Sequence, residues 1–422
     1  MPRRFLFLQG PHGPFFAKLA EALDRAGCET LRVGLNAGDE WSWGRARTYT
    51  AYQEPAEAWS SWLEAFLKER GVTDLVLYGD ARPHHAAAIT LAEQQDITLH
   101  VFEEGYLRPY WVTYERGGVN GASPLMSLTT EDILHALPPE DAPLPNTPDQ
   151  WGTALRHALS GALYHGHIAL KARKYPQYRS HRGVGVAQET GLYVRKILKS
   201  PFDAIERRWA TQKVLTSGVP FHLVLLQLGH DSSVQAHSGY DCMAPFIAEV
   251  TEAFAQGAPS HHVLVFKTHP FDDGREPMGK LVASAARAAG VRGRVSLIPG
   301  GPLATLLDTA QSAVTINSTA AQQALWRGLP VKALGRAVYS KPEFVSDQPL
   351  VAFFADPQSP DHHAYLGFRR FLLFTSQIKG SFYTGRGRAD ILRDAVDRML
   401  ANEGPYEALL NTGRFDNAFM MR

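Results

Sequence analysis

Short apolar runs that stop abruptly at a glycine or a polar group alternate along this chain with stretches in which apolar residues recur every three or four positions. Residues 4–9, RFLFLQ, read as a buried strand, GPHGP as a loop, and FFAKLAEALDRAG as an amphipathic helix closed by Gly27. The unit repeats: LRVGL (31–35) is a strand, 57–71 a helix ending at glycine, TDLVLYGD (73–80) a strand, 83–95 a helix and ITLHVFEE (97–104) a strand. Alternation of this kind predicts a parallel sheet with helices on both faces, and functional groups gathered where the strands end.

The pattern changes at Trp151. From there to Val214 the chain reads as helices without strands, broken around SHRGVGVAQ, and Lys and Arg outnumber Asp and Glu by 12 to 3. Strand and helix then alternate again. Strands are expected at 221–228, 261–270, 295–300, 313–317 and 330–334, with helices at 243–256, 275–289 and 319–328. A last helix near 387–401 has the position to cross back to the first domain. The expected fold is α/β and GT-B-like, two Rossmann-like domains facing across a cleft with a basic helical insertion. The expected divisions are 1–150, 151–214, 215–380 and a C-terminal helix and tail over 381–422.

A length of 422 residues suits two or three domains with cores of their own. With 45% hydrophobic and 20% charged residues the composition is that of a globular protein, and a formal charge of +1 gives no overall field for nucleic acid. The two cysteines, Cys28 and Cys242, fit neither a disulfide framework nor a zinc spacing, which points to a reducing cytoplasm. The apolar run after MPRR spans only Phe5 to Leu8, too short for a signal peptide, and no stretch is long enough to span a bilayer.

Four strand ends carry the candidate chemistry. Gln9-Gly-Pro-His-Gly-Pro14 lacks the GxGxxG fingerprint of dinucleotide binding; its glycines either let a ligand approach or make a tight turn. At Glu103-Glu104-Gly105 adjacent strand residues point to opposite faces, so one glutamate faces the cleft and the other meets a helix or Arg108. A carboxyl desolvated in a cleft can serve as a base. The aromatic and arginine-rich RPYWVTYERGGVNG that follows suits the walls of an anionic sugar site. Gly10, His12 and Gly13 of the first loop, with Glu103, Arg108 and Asn120, are the candidate substrate-binding residues.

In the second domain, Asp231 of LQLGHDSS either caps a helix or takes part in the reaction. Lys267 and His269 of FKTHP suit a phosphate, and Asn317, Ser318 and Thr319 reach the start of a helix, where free N–H groups favour an anion. The set calls for no metal or other cofactor, and Asp272-Asp273-Gly274 reads as a solvated turn.

In this order, QGPHGPFF, FEEGYLRPYWVTYERGGVNG, QLGHDSS, KTHP and NSTAAQQALWRGLPV resemble the capsular polysaccharide synthesis family of Gram-negative bacteria over most of residues 4–380. Within that family the chain is similar to the single-module β-Kdo transferases that begin the lipid-linked oligo-Kdo linker of group 2 capsules. The resemblance implies transfer of 3-deoxy-D-manno-oct-2-ulosonic acid (Kdo) from CMP-β-Kdo to the glycerol of a (lyso)phosphatidylglycerol, with retention. By the same resemblance Glu104 does acid/base work on the acceptor hydroxyl, and His269 binds the CMP phosphate. Ser318 and Thr319 fall on the phosphate-binding helix start, and Asp231 on the covalent nucleophile, although His230 stands where the larger capsule enzymes carry an acid. The basic helical section suits an anionic phospholipid surface, which implies a cytoplasmic protein peripheral on the inner membrane beside other capsule synthesis and export proteins. The rival readings are an inverting, sialyltransferase-like CMP-sugar enzyme, a non-catalytic scaffold of the export machinery and a UDP-sugar epimerase.

Overall fold

The computed structural model describes residues 2–44, 47–145, 154–178 and 186–412. It divides into two compact units, Met1–Val186 with Arg369–Arg422, and Ala187–Phe368.

The first unit runs β1 (Arg4–Phe7), α1 (Phe15–Arg25), β2 (Glu29–Gly34), α2 (Ala37–Trp43), β3 (Thr50–Ala51), α3 (Trp59–Arg70), β4 (Asp74–Tyr78), α4 (Pro83–Gln94), β5 (Thr98–Glu104), β6 (Trp111–Arg116), α5 (Thr130–His135) and α6 (Ala154–Leu170). The second carries α7 (Val186–Thr216), β7 (Phe221–Leu225), α8 (Ser232–His237), α9 (Met243–Gly257), β8 (Val263–Lys267) and α10 (Met278–Ala288). It continues through β9 (Val295–Ile298), α11 (Leu303–Leu307), β10 (Ser312–Thr315), α12 (Ala321–Leu325), β11 (Val331–Ala333), α13 (Leu350–Ala355) and α14 (His362–Phe374). The chain returns to the first unit within α14, at Arg369, and continues there with β12 (Gln377–Lys379), α15 (Gly385–Leu400) and α16 (Pro405–Thr412).

The first sheet has the order β12-β6-β5-β4-β1-β2-β3, parallel from β5 to β3 and antiparallel at β6 and β12. Its central strands are apolar without alternation because both faces are covered. Phe5, Phe7, Val76 and Phe102 pack with α1 and α15 through Phe15, Leu19, Ile391 and Met399. Leu6, Leu8, Leu75, Leu77 and Val101 pack on the other face with α3 and α4 through Trp59, Leu63, Ala88 and Leu91. The second sheet, β11-β10-β7-β8-β9, is wholly parallel.

The units divide the chain differently from the boundaries the pattern gave. The helical section is no separate unit: α6 belongs to the first and α7 to the second, while the expected boundary at 150 and most of the SHRGVGVAQ break lie outside the described residues. The Tyr164 hydroxyl explains the placing of α6. It donates to Asp39 at 2.9 Å and accepts from Gln9 and Asn36 at 2.9 and 3.1 Å, all in the first unit. The chain also comes back earlier than 381, at Arg369, because β12 completes the first sheet by pairing Gln377 with Thr113.

Candidate functional site

In the first unit the candidate groups gather beyond the C-terminal ends of β1, β4 and β5. Glu104 and Phe102 share the face of the sheet that meets α1 and α15. On that face the Tyr78 hydroxyl, from the end of β4, donates to Glu104 Oε1 at 3.0 Å, and the Tyr383 hydroxyl, from the segment before α15, donates to the same oxygen at 2.9 Å. Both tyrosines are half-buried, and desolvation pushes their pKa well above the ordinary value and keeps them as donors. Among the described residues Oε2 makes no hydrogen bond, and it is not one of the buried unpartnered atoms, so it is the oxygen left accessible.

Glu103 points to the other face. Its Oε1 accepts the Glu104 N–H at 2.8 Å, and its Oε2 lies 2.9 Å from where a Cβ on Gly79 would sit. Gly79, at φ +69°, thus has two reasons to be glycine, its left-handed backbone and the carboxylate beside it. Burial raises Glu103 to about 7; the Glu104 N–H opposes the shift, the charge of Glu104 adds to it, and Arg108 and Arg82 lower it. The two glutamates therefore have separate environments, as the strand geometry requires.

Other candidates play local roles. His12 stacks on Tyr164 with ring centroids 4.6 Å apart, and Arg82 donates to Gln9 Oε1 at 2.8 Å, joining the first loop to the polar network at the ends of β1 and β2. A Cβ on Gly10 would meet Phe16 at 2.6 Å, so close packing rather than a ligand demands that glycine. Gly13, at φ +111°, has open space where its Cβ would be. Arg108 is exposed and donates to the Gly105 carbonyl at 3.1 Å, and the Asn120 N–H donates to the Tyr106 hydroxyl at 2.7 Å.

In the second unit β7 lies between β10 and β8, so the segments holding Asp231, His269 and Asn317 leave three adjacent strands at one end of a parallel sheet, where ligands of such sheets bind. Gln227 ties two of them together. Its amide donates to Asn317 Oδ1 and accepts the Asn317 N–H, both at 2.9 Å, and the Asn317 amide donates to the Ser233 carbonyl at 3.0 Å. Asp231 is exposed and is the N-cap of α8, accepting the Ser233 N–H on Oδ1 at 3.0 Å. His269 accepts the Phe271 N–H on Nδ1 at 3.1 Å. Lys267 is buried, and its pKa is lowered to about 8 by desolvation first and then by the charge of Arg207. The helix expected over 319–328 is shorter: Ser318, Thr319 and Ala320 form a turn, with Ser318 Oγ accepting the Ala320 N–H at 3.2 Å, and α12 begins at Ala321. Asp273 pairs with Arg275 at 2.8 Å, and among the described residues no group of three His, Cys, Asp or Glu is arranged to hold a metal.

Tyr78, Tyr383, Arg82 and Gln227 were not singled out from the sequence. Their roles exist only through partners far along the chain, 279 positions away for Tyr383 and Glu104.

The chain belongs to the family described as "Capsule polysaccharide biosynthesis protein", whose model it matches over residues 73–383. It is 31% identical over 387 residues to the "Capsule polysaccharide export protein KpsS" of Escherichia coli, covering 90% of this chain and 97% of that protein. It is 30% identical over 387 residues to the "Capsule polysaccharide modification protein LipB" of Neisseria meningitidis serogroup B, covering 90% and 91%. Among solved structures it is similar to the Thermosulfurimonas dismutans KpsC, beta Kdo 2,7 transferase, with a TM-score of 0.43 and 12% identity, covering 94% of this chain and 99% of that one.

Proposed function

We propose that this capsule biosynthesis protein is a retaining β-Kdo glycosyltransferase that moves Kdo from CMP-β-Kdo to the glycerol of a (lyso)phosphatidylglycerol. The observation that carries the reading is the Glu104 carboxylate, held at a strand end by two tyrosine hydroxyls on one oxygen with the other oxygen open. The chemistry follows from those groups. An Asp231 carboxylate oxygen attacks the anomeric carbon, and the bond to the CMP phosphate breaks with its electron pair leaving on the phosphate. His269 and the Asn317–Thr319 turn neutralise that phosphate as its charge develops. The acceptor hydroxyl then attacks the same carbon, its proton passes to Glu104, and Asp231 leaves; two inversions give net retention. No metal is needed for these steps.

The N-cap role of Asp231 supports a second reading, inverting transfer, which needs Glu104 and His269 but no nucleophile. Asp231→Ala separates the two: a retaining enzyme loses turnover, an inverting one keeps most of it. Calorimetric titration with CMP tests the donor assignment. The intact chain is expected to bind CMP, and His269→Ala to weaken binding at least tenfold, since a hydrogen bond to a charged group is worth about 1.5–3 kcal/mol. A chain that ignores CMP contradicts the reading and favours a scaffold.

We also place the protein on the inner face of the inner membrane. Among the described residues no helix is long and apolar enough to cross a bilayer. Helix α7 exposes Phe202, Ile205 and Trp209, 74%, 66% and 73% accessible, at a spacing that puts them on one face, with exposed Arg195, Arg208 and Lys213 on the same helix. Aromatic and aliphatic side chains flanked by cations suit an anionic lipid surface, each cation contributing about 1 kcal/mol. The protein is expected to float with phosphatidylglycerol vesicles and not with phosphatidylcholine ones, and Trp209→Ser to weaken flotation. Equal flotation with both lipids contradicts the placement.

A further inference from the structure

We propose that Lys267, Arg207 and Thr211, set against the Gly300–Gly301 turn of the second unit, build an oxyanion site that takes a phosphate or carboxylate group. Assigning the anion to the donor rests on the function proposed above; the site itself rests on geometry within one unit.

Lys267 ends β8 in register with Ile298, the last residue of β9, and the chain continues through Pro299 into Gly300 and Gly301. Both glycines have left-handed backbones, at φ +86° and +95°. Helix α7 lays two side chains, one helical turn apart, over this bend. The Cδ and Nη1 of Arg207 come within 3.5 Å of where a Cβ on Gly300 would be, and Thr211 Oγ1 within 3.0 Å of one on Gly301. A Cβ on Gly301 would press on the threonine hydroxyl, whereas one on Gly300 would only touch the arginine.

Their bonding is incomplete. Lys267 is only 6% exposed, and among the described residues the one hydrogen bond of its ammonium, to the Thr268 carbonyl, is a long 3.4 Å. Arg207 has neither a hydrogen bond nor an ion pair, and no carboxylate lies within ion-pair distance of either cation among the described residues. Arg207 is close enough that its charge lowers the pKa of Lys267. The buried Thr211 hydroxyl has no partner among the described residues, not even the carbonyl one turn back that helical threonines commonly use. Burying a cation beside another cation is unfavourable unless an anion joins them. One oxyanion would satisfy the ammonium, the guanidinium and the hydroxyl together, with charge-assisted hydrogen bonds from the first two.

Two features of the donor class match, the nucleotide phosphate and the sugar-acid carboxylate, and the test separates them. The full chain is titrated calorimetrically with inorganic phosphate and, in a second arm, with free Kdo, for wild type, Arg207→Met and Thr211→Val. Arg207→Met keeps the methylene stem on Gly300 and removes the charge. Affinity for one of the two anions is expected to fall at least tenfold in Arg207→Met and about threefold in Thr211→Val. Loss in the phosphate arm assigns the site to the nucleotide, and loss in the Kdo arm to the sugar acid. Without anion, Arg207→Met is expected to melt at or above the wild-type temperature, because it removes a like charge from Lys267; a purely structural arginine would move it down. Equal affinities of wild type and Arg207→Met for both anions overturn the site, whatever CMP does. A chain that binds an anion through Arg207 yet fails to bind CMP keeps the site and overturns the donor reading.

Discussion

Glu104→Gln is expected to lower the rate of transfer by roughly 10²–10⁴-fold, the usual contribution of a positioned general acid or base, with CMP affinity unchanged. The amide keeps the shape of the side chain and its Oε1 can still accept from Tyr78 and Tyr383, so the loss reports the missing base rather than a misfolded strand end. Glu103→Gln is expected to cost less than about tenfold, because its Oε1 is already spent on the Glu104 N–H and it points to the opposite face. Tyr383→Phe should fall between the two, since it removes one of two donors that orient the base without removing the base. Single-turnover rates of the three variants check the ranking. A Glu103 variant slower than the Glu104 variant would reverse the assignment.

The second large effect concerns stability. Glu115 in β6 is fully buried and accepts from the Tyr406 hydroxyl at 2.7 Å. Burial pushes its pKa up to about 7, opposed by hydrogen bonds from Ser123, Tyr406 and Tyr106. A folded-state pKa above the unfolded value means the protonated form favours the fold. The stability is therefore fully present below the unfolded pKa of 4.5 and is lost as pH rises through about 7. The loss amounts to about 3 kcal/mol. Glu103 shifts in the same direction, so the wild-type Tm should fall between pH 5 and pH 8 through two groups. Glu115→Gln has no proton to lose, and its Tm should gain on the wild type steadily across that interval. Parallel curves for variant and wild type would show that Glu115 does not titrate there.

Much of this fold was legible because both sheets are largely parallel and doubly covered. The central strands announce themselves as unbroken apolar runs, and Gly27 and Gly71 close their helices with left-handed backbones at φ +85° and +59°. The antiparallel margin was not legible. WVTYER in β6 is buried at Trp111 through Glu115, with a threonine and a glutamate inside, so it shows neither an apolar run nor alternation. β12 is only three residues long, and its pairing with β6 spans more than 260 positions, as Gln377 and Thr113 show. The same limit applies to the site. The Glu-Glu-Gly and His-Pro motifs can be read because their residues adjoin, whereas the tyrosine clamp on Glu104, the Gln227–Asn317 lock and the Arg207–Thr211 pair over Gly300–Gly301 depend on long-range folding. Asp231 shows the converse: capping and nucleophilic attack ask for the same residue at a helix start, and the strand-to-helix turn satisfies the first without deciding the second.

The direct measurement is of the product. The full chain is incubated with an in situ source of CMP-Kdo and a fluorescent phosphatidylglycerol, and the acceptor is weighed by mass spectrometry. The proposed function predicts an acceptor heavier by a whole number of Kdo residues, with one CMP released for each. An acceptor of unchanged mass in the presence of folded, CMP-binding protein would contradict it.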